Sequence, residues 1–378
     1  MKTSEKQKIA VYYPAFLGGG AEAVGLWMME ALKQKYDLTL FTISAVDFEK
    51  LNLMYGTSLS SNVVQVKSFF SQYFSPLANS LVANSKPIRM FFFHLLLRYL
   101  KSKSHHYDLL ISAYNAVDFG KQGMQYIHWI KVLEGNPFYE RISDFSVERL
   151  KDNISITNSY TVAEYVSKAY GSDSTLLYPP VVLDVKEIPW NDKEDAFICS
   201  GRLTEAKQPH KVIQILKQVR ERGFDIKLYM TGGGGGAYAW KYQNFLKKLA
   251  RENAAWVRLY ENLTYEDYVK VVLKCKYGIH FKQEPFGISI AEMVKAGVIP
   301  FVRSQGGQVE IVGVHNQDLF FDNEKDAIEK IVNVLSHSDR QAKLMNSLAE
   351  QRHLFSTQRF MTEMNKIVEN YFAKSVEL

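Results

Sequence analysis

The 378-residue sequence has two cysteines, no long apolar run and, over one extended stretch, no acidic residue. The cysteines, Cys199 and Cys275, both fall within apolar segments, which is typical of buried thiols in a reducing compartment and argues against a disulfide framework. The charged start, 1–8, leads into an apolar segment without any stretch that resembles a signal peptide. We therefore expect a cytoplasmic protein.

Metal-binding patterns are missing as well. No Asp-x-Asp occurs in the chain, and no group of His and Cys residues has the spacing of metal ligands. We expect no metal and no other cofactor, so that basic side chains must balance the charge of any phosphate that the protein binds.

The acid-free stretch lies between Lys50 and Tyr107 and carries basic residues throughout: Lys50, Lys67, Lys86, Arg89, Arg98, Lys101 and Lys103. Aromatic clusters at 69–74 and 91–93 accompany them, and the apolar run 90–97 is too short to cross a bilayer, which needs about 20 residues. Two interpretations stay open: a core helix with a solvated basic face, which we favour, or contact with an anionic membrane surface or a lipid-linked acceptor. Nucleic acid is not an expected partner, because no nucleic-acid recognition motif accompanies the basic residues.

Strand-like and helix-like patterns alternate along the chain. Residues 9–13 and 38–42 are strand-like, and the apolar residues of 21–36 recur at helical spacing. The same alternation resumes at 197 and predicts an α/β fold with a doubly wound parallel sheet in each half. The length and the 47% hydrophobic content suffice for two domains with separate cores, and the polar segment 184–195 is the predicted linker.

The segment from Glu284 to Gly297 predicts a ligand site at a helix start. It follows a short apolar strand over 276–281, turns, and continues as a helix over 288–296 that Gly297 ends. The first amides of such a helix have no intrahelical partner and favour an anionic or oxygen-rich group. We expect the amides concerned to be those of Phe286, Gly287 and Ile288.

Two carboxylates flank this turn. Glu284 precedes it, and Glu292 lies about one and a half turns into the helix. A carboxylate accepts paired hydrogen bonds from vicinal hydroxyls, so that one acid can hold a hexose and the other a ribose. The arrangement suits a sugar nucleotide, although a first-turn acid and an ordinary exposed helix residue would give the same pattern.

Two cations follow the strand at 197–200. Arg202 lies in Ser-Gly-Arg-Leu, and Lys207 comes five residues later. Cations fixed beside a nucleoside diphosphate stabilise the negative charge that develops as it leaves, Arg202 as a fork and Lys207 as a point charge. Either residue alone is typical of a solvated surface charge, and their joint position after a strand favours a diphosphate clamp.

The order of these motifs resembles that of the retaining glycosyltransferases of family 4, whose C-terminal domain carries a Glu-x7-Glu motif. Several motifs are similar to those of the dolichol-linked-oligosaccharide alpha-1,2-mannosyltransferases, notably the N-terminal glycines and the Ala-Gly-Val-Ile-Pro that ends the Glu284 segment. The resemblance covers most of the chain and rests on these segments, in chain order: 18–22 (Gly-Gly-Gly-Ala-Glu), 125–129 (Gln-Tyr-Ile-His-Trp), 158–159 (Asn-Ser), 178–181 (Tyr-Pro-Pro-Val), 200–203 (Ser-Gly-Arg-Leu) and the Glu284 segment.

The resemblance implies a GT-B fold of two Rossmann-like domains that face each other across a cleft. The acceptor-side domain would span 1–183, the nucleotide-sugar-binding domain 184–356, and a final helix within 357–378 would cross back to the first domain. The resemblance further implies ligand contacts at Gly19, Gly20, Gly233 and Leu263, and a hydrogen bond between His128 and the donor sugar.

Each of these assignments has an alternative. His128 alone is typical of a satisfied core histidine, and the first glycine loop is also consistent with a structural turn. Leu263 stands in Glu-Asn-Leu where relatives often have a glycine, which puts the base contact in doubt. The glycine run 232–236 permits a dinucleotide site, but the acidic residue expected about 20 positions later is not in place.

These features together predict a metal-independent, retaining glycosyltransferase. It would move a hexose, with mannose as the first expectation, from a GDP- or UDP-linked sugar to a hydroxyl of a glycan or lipid-linked acceptor. The competing class is a GT-B epimerase, hydrolase or non-catalytic sugar-nucleotide-binding protein, which needs no acceptor site. Peripheral contact with the inner face of a membrane is an open alternative to a purely cytoplasmic location.

Overall fold

The computed structural model describes three ranges of the chain: 6–183, 188–233 and 240–376. They fold into two compact units, of which the first comprises Met1–Val182 with Ser356–Leu378 and the second Leu183–Phe355. Each unit is built around one parallel sheet with helices between its strands. The predicted α/β class is confirmed.

Some of the sequence predictions fall outside the described ranges. Residues 184–187 of the predicted linker over 184–195 lie outside the described residues, and a strand begins at Glu194, within the predicted linker. Three of the five glycines in the run 232–236 also lie outside the described residues.

The first unit has a seven-stranded sheet. Its strands are β1 Lys8–Tyr12, β2 Asp37–Ser44, β3 Val64–Phe70, β4 Leu109–Ser112, β5 Met124–Ile127, β6 Ile154–Thr157 and β7 Ser174–Leu176. They are parallel in the spatial order β3-β2-β1-β4-β5-β6-β7. The helices between them are α1 Gly20–Leu32, α2 Phe48–Tyr55, α3 Ser75–Asn84, α4 Lys86–Lys103, α5 Pro137–Ser143, α6 Val147–Lys151 and α7 Tyr160–Tyr170.

The second unit has a six-stranded sheet. Its strands are β8 Glu194–Ser200, β9 Lys227–Gly232, β10 Val257–Glu261, β11 Cys275–His280, β12 Ile299–Arg303 and β13 Phe320–Phe321, in the parallel order β10-β9-β8-β11-β12-β13. Its helices are α8 Pro209–Glu221, α9 Trp240–Glu252, α10 Tyr265–Leu273, α11 Ile288–Lys295, α12 Gln308–Val312, α13 Glu324–Leu335 and α14 Ser338–Gln351. The chain then returns to the first unit as α15 Thr357–Val376.

The central strands are apolar because helices cover both faces of each sheet. In β1 and β2 every residue after the first is buried, and both cysteines lie in buried strand positions, as their apolar surroundings predict. Helix α1 buries the apolar stripe that the sequence predicts, and it ends at Leu32 instead of the predicted Tyr36. Tyr36 stacks on Phe372 of α15, with 5.5 Å between the ring centroids.

Helix α4 decides between the two interpretations of the apolar run 90–97. Phe91 is 39% exposed, whereas the inward face is buried: Met90, Phe93, His94, Leu96, Leu97 and Leu100. The interpretation as a core helix is confirmed for this run. Within the described ranges, no helix combines the length and the apolar character that crossing a membrane requires.

Candidate functional site

Most of the predicted site residues follow the carboxyl ends of the strands in the second unit. Arg202 comes after β8, Gly233 after β9, Leu263 after β10 and Glu284 after β11. The carboxyl ends of parallel strands lie at one edge of a sheet, and ligands of open α/β sheets bind there. Backbone hydrogen bonds link these loops: the Leu203 amide donates to the Gly233 carbonyl at 3.1 Å, for example.

The glycine that precedes Arg202 lets Lys207 approach. Gly201 has φ 131, in the left-handed region that favours glycine, and a Cβ there would lie 3.2 Å from Lys207 Nζ. Arg202, Lys207 and His280 line the same small cleft. The structure therefore brings the two predicted cations to one side of the loop after β8.

Glu284 forms the electrostatic centre of this edge. Its Oε1 lies 3.1 Å from Lys207 Nζ and 3.0 Å from His280 Nε2, and only 13% of its side chain is exposed. Burial alone would raise the pKa of this carboxyl, but the hydrogen bond from His280 and the charge of Lys207 outweigh it and hold the pKa at about 2. Glu284 is thus ionised throughout the neutral range.

His280 is a site residue that the sequence reasoning missed. It ends β11 and is 3% exposed. Burial lowers its pKa more than Glu284 raises it, so that the ring is neutral at neutral pH. Because a carboxylate only accepts hydrogen bonds, His280 must donate from Nε2. The signal in the sequence is a histidine four residues before the first glutamate.

Gln308 is a second missed residue, and it fixes the loop that carries Glu284. The Glu284 amide donates to Gln308 Oε1 at 2.7 Å, and Gln308 Nε2 donates to the Lys282 carbonyl at 3.3 Å. Gly307 lies against the same loop, because its amide donates to the Glu284 carbonyl at 2.9 Å and a Cβ there would be 2.1 Å from the Pro285 carbonyl oxygen. The Gly-Gly-Gln sequence thus determines where the Glu284 carboxylate lies.

Glu292 has different partners from Glu284. It accepts a hydrogen bond of 2.7 Å from Tyr268 of α10, a residue that the sequence reasoning also missed. Burial raises the pKa of Glu292 to about 7, against the lowering effect of Tyr268. The hydroxyl of Tyr265, whose ring lies 6.1 Å from that of Tyr268, is buried without a hydrogen-bond partner among the described residues.

The predicted helix start is confirmed. Helix α11 begins at Ile288 with Gly287 as its N-cap, at φ 113, so that Phe286 and Gly287 precede the helix. The Phe286 side chain is 3% exposed and packs against Phe355, with 5.7 Å between the ring centroids. Of the three predicted amides, that of Ile288 belongs to the first helical turn, and those of Phe286 and Gly287 stand directly before it.

Three predicted residues lie in the first unit. Gly19 and Gly20 stand at the start of α1, and a Cβ on Gly19 would meet no atom within 4 Å, so that space is open beside this loop. Glu22, 3% exposed, holds the loop by accepting hydrogen bonds from the Gly18 amide and, at 2.9 Å, from the Tyr55 hydroxyl.

His128 is the third predicted residue of the first unit, and both its backbone amide and its ring form hydrogen bonds. Its amide and that of Trp129 both donate to Asn115 Oδ1, at 2.9 and 2.7 Å. Its Nε2 donates to the Ala113 carbonyl at 3.1 Å, and burial lowers its pKa to about 4. The ring is therefore neutral, with Nδ1 as its acceptor atom.

The candidate residues thus fall into two sets. The first unit holds the glycine loop and His128, and the second holds Arg202, Lys207, Gly233, Leu263, Glu284, the turn and helix start at 286–288, and Glu292. Within the described part of the chain, no group of three or more His, Cys, Asp or Glu residues is arranged to hold a metal ion.

Comparison with solved structures defines the fold. Alr3699/HepE from Anabaena, in complex with UDP-glucose, has a TM-score of 0.69 at 16% identity over 96% of this chain and 99% of that one. Sucrose-phosphate synthase from Thermosynechococcus elongatus has a TM-score of 0.69 at 14% identity over 98% and 100%. The fold is therefore GT-B, that of a large class of glycosyltransferases.

The sequence of the second unit matches a known family. Residues 183–352, under half of the chain, match the family described as "Glycosyl transferases group 1". A curated relative from Dictyostelium discoideum, "GDP-Man:Man(3)GlcNAc(2)-PP-Dol alpha-1,2-mannosyltransferase", is 22% identical over 229 residues, 55% of this chain and 45% of that protein. The match thus spans about half the length of this relative.

We expect the two acids to affect stability in opposite directions. The low pKa of Glu284 stabilises the fold above about pH 4.5, and this contribution is lost as the pH falls toward 2. The raised pKa of Glu292 lowers stability as the pH rises from about 4.5 to 7. Glu292→Gln should therefore unfold like the wild type near pH 4.5 and be more stable by up to about 3 kcal/mol above pH 7.

Urea unfolding at several pH values measures both effects. Glu284→Gln should be less stable than the wild type at pH 7, with a deficit that narrows as the pH falls. Glu221→Gln, a change at an exposed acid of the same unit, is the control. If Glu292→Gln raised the free energy of unfolding by the same amount at every pH, that result would contradict the raised pKa of Glu292.

Proposed function

We propose that the protein transfers a hexose, with retention and without a metal ion, from a nucleoside-diphosphate sugar to a hydroxyl of a glycan or lipid-linked acceptor. The observation that carries the proposal is the ionised, largely buried Glu284 between Lys207 and His280, with Arg202 at the same cleft. A diphosphate and a sugar need this combination of charges: cations for the phosphates and a carboxylate for the hydroxyls.

Glu284 is the proposed contact for the donor sugar. Both close contacts of its carboxylate are at Oε1, and no described residue donates a hydrogen bond to Oε2. An ionised carboxylate with an accepting oxygen suits vicinal hydroxyls. Since the loop is held by Gln308, the oxygen keeps one position, which is what stabilisation of a transition state requires.

Arg202 and Lys207 are the proposed diphosphate clamp. Arg202 is exposed and forms no ion pair with any described residue, whereas Lys207 is fixed by Glu284 and has 19% of its side chain exposed. An exposed fork and a fixed point charge complement each other, because the fork can adapt to the phosphate oxygens while the fixed cation needs no reorganisation. Their two charges are the proposed substitute for a metal ion.

Glu292 and Tyr265 support a hydroxyl-bearing nucleoside beside α11. The buried Tyr265 hydroxyl lacks a described partner, and Glu292 already accepts from Tyr268. A ribose hydroxyl can donate a hydrogen bond to Glu292, and another can exchange hydrogen bonds with the Tyr265 hydroxyl. Gly233 and Leu263, at the ends of β9 and β10, stay the proposed contacts of the ribose and base.

His128, a residue of the first unit, is the proposed hydrogen-bond partner of the donor sugar. Its neutral ring offers Nδ1 as an acceptor for a hydroxyl, while Nε2 is committed to the Ala113 carbonyl. A pKa of about 4 makes the ring a weak base at neutral pH, which favours hydrogen bonding over proton abstraction. Mannose from GDP-mannose is the first donor to test, because the curated relative is named for it.

We expect Glu284→Gln to lower turnover by about 100-fold or more while nucleotide binding stays within a few-fold of the wild type. The amide keeps the size of the side chain but loses the charge that binds the sugar hydroxyls. Transfer from GDP-mannose and from UDP sugars, each with and without added glycan acceptor, measures turnover. Near-normal turnover would exclude the sugar-holding role, and nucleotide release that needs no acceptor would indicate a hydrolase.

The clamp makes a prediction about phosphates. Arg202→Ala should weaken binding of the nucleoside diphosphate by about 1 to 3 kcal/mol per charge-assisted hydrogen bond and leave nucleoside binding nearly unchanged. Lys207→Ala should do the same, with an added loss of stability because Glu284 keeps its charge without this partner. Calorimetry with diphosphate and nucleoside checks both variants, and Lys217→Ala, at an exposed lysine, is the control. Equal losses for nucleoside and diphosphate would contradict the clamp.

Transfer should survive EDTA. If Arg202 and Lys207 carry the charge of the leaving diphosphate, removal of divalent ions leaves the rate within about two-fold of its starting value. The measurement is turnover after dialysis against EDTA, with addition of magnesium or manganese as the comparison. A loss of activity that either ion restores would show that a metal takes part.

A further inference from the structure

Helix α3 presents an apolar face to solvent. Phe74, just before it, and Leu77 and Leu81 within it are 55%, 63% and 45% exposed, and their spacing of three and four residues places them on one side. The opposite side, formed by Ser75, Ala78 and Val82, packs into the first unit.

The composition of α3 makes this exposure unusual. Its ten residues, Ser75–Asn84, include no charged side chain. Tyr73, 85% exposed, extends the row, and its ring lies 5.0 Å from that of Phe74, edge to face. Single exposed apolar residues are normal on a soluble protein, but a continuous row marks a surface that another phase or molecule covers.

Positive charge borders this face. Helix α4 begins at Lys86, two residues after α3 ends, and Lys86 is exposed. Arg89 Nη1 donates to the Val82 and Ala83 carbonyls in the last turn of α3, at 3.4 and 3.5 Å, which places a cation at that end of the helix. No acidic residue occurs in this part of the sequence, so the row of apolar side chains has only basic neighbours along the chain.

The structure also shows that some basic and aromatic side chains of the acid-free stretch do not belong to this surface. Lys101 pairs with the buried Asp118 at 2.7 Å and is 13% exposed, and Arg98 donates to the Ile142 carbonyl. Phe93 is in the core. The surface therefore centres on α3 and the start of α4, and the run 90–97 is not its centre.

We propose that α3 lies in the interface of an anionic membrane, with Phe74, Leu77 and Leu81 toward the acyl chains and Lys86 and Arg89 at the lipid phosphates. An interfacial helix needs an apolar face for the acyl boundary and cations at the level of the headgroups. At 1.5 Å per residue α3 is about 15 Å long, too short to span and long enough to lie flat. The inference rests on the proposed function in one respect: membrane binding would bring the enzyme to a lipid-linked acceptor.

Vesicle binding tests the apolar face. The native chain should bind vesicles of phosphatidylcholine and phosphatidylglycerol at low salt more tightly than vesicles of phosphatidylcholine alone, and less tightly as salt rises. Leu77→Gln combined with Leu81→Gln should lower binding to the mixed vesicles by about 10-fold or more. Val314→Gln, at a residue 64% exposed in the second unit, should leave binding unchanged.

The charges are tested in the same assay. Lys86→Gln combined with Arg89→Gln should lower binding at low salt, and Lys86→Gln alone should do so in part while the Arg89 contacts to α3 stay intact. The matched control is Lys217→Gln with Lys343→Gln, two exposed lysines of the second unit.

Insertion is measured with a thiol-linked, environment-sensitive dye. Both native cysteines are buried, and burial raises the pKa of each to about 12, so that the dye reacts with an introduced cysteine. Leu77→Cys should report an apolar environment when mixed vesicles are added, whereas Val314→Cys should not.

Three results would overturn the proposal. They are absence of binding to the mixed vesicles at low salt, binding that the Leu77 and Leu81 substitutions leave unchanged, and self-association of the native chain that these substitutions abolish. The last would make a second copy of the chain the occupant of this face. Nucleotide binding, measured on every variant, separates these results from failure of the proposed function: transfer to a soluble acceptor without vesicle binding contradicts only the membrane inference.

Discussion

A carboxylate that stays ionised while it is largely buried is the constraint on which the candidate site depends. Glu284 is 13% exposed in its side chain, and a charge in that position is costly unless cations and hydrogen-bond donors face it. Lys207 supplies the cation from the loop after β8, and His280 supplies the donor from the end of β11. Neighbouring positions of β8 and β11 in the sheet bring these groups together.

The rest of this edge follows from the need to hold the carboxylate in one place. Gln308 and Gly307 bind the backbone on either side of it, and Gly201 leaves room for the Lys207 side chain. A Cβ on Gly201 would meet Lys207 Nζ, and a Cβ on Gly307 would meet the Pro285 carbonyl in the loop that carries Glu284. Because these groups are already oriented before a ligand arrives, binding requires little reorganisation of the charges.

The sequence predicted the elements better than the contacts between them. The predicted strands over 9–13 and 38–42 fall on β1 and β2, since strands buried on both faces read as short apolar runs with clear ends. The pairing of Lys207 with Glu284 was not predicted, because it joins residues that only the strand order brings together. Tyr268 and Gln308 were missed for the same reason, whereas the start of α11 at Ile288 was predicted because the local Pro-Phe-Gly turn specifies it.

The outward face of α3 shows where periodicity stops being informative. Helical spacing identifies apolar residues on one side of a helix, but α3 has apolar residues on two sides, Ala78 and Val82 inward and Leu77 and Leu81 outward. Only the packing against the first unit decides which side is covered. The neighbouring run in α4 is more apolar in sequence yet lies in the core, so that hydrophobicity alone would have selected the wrong helix. An exposed apolar surface is thus a property of the fold, while the lack of acidic residues around it is a property that the sequence shows directly.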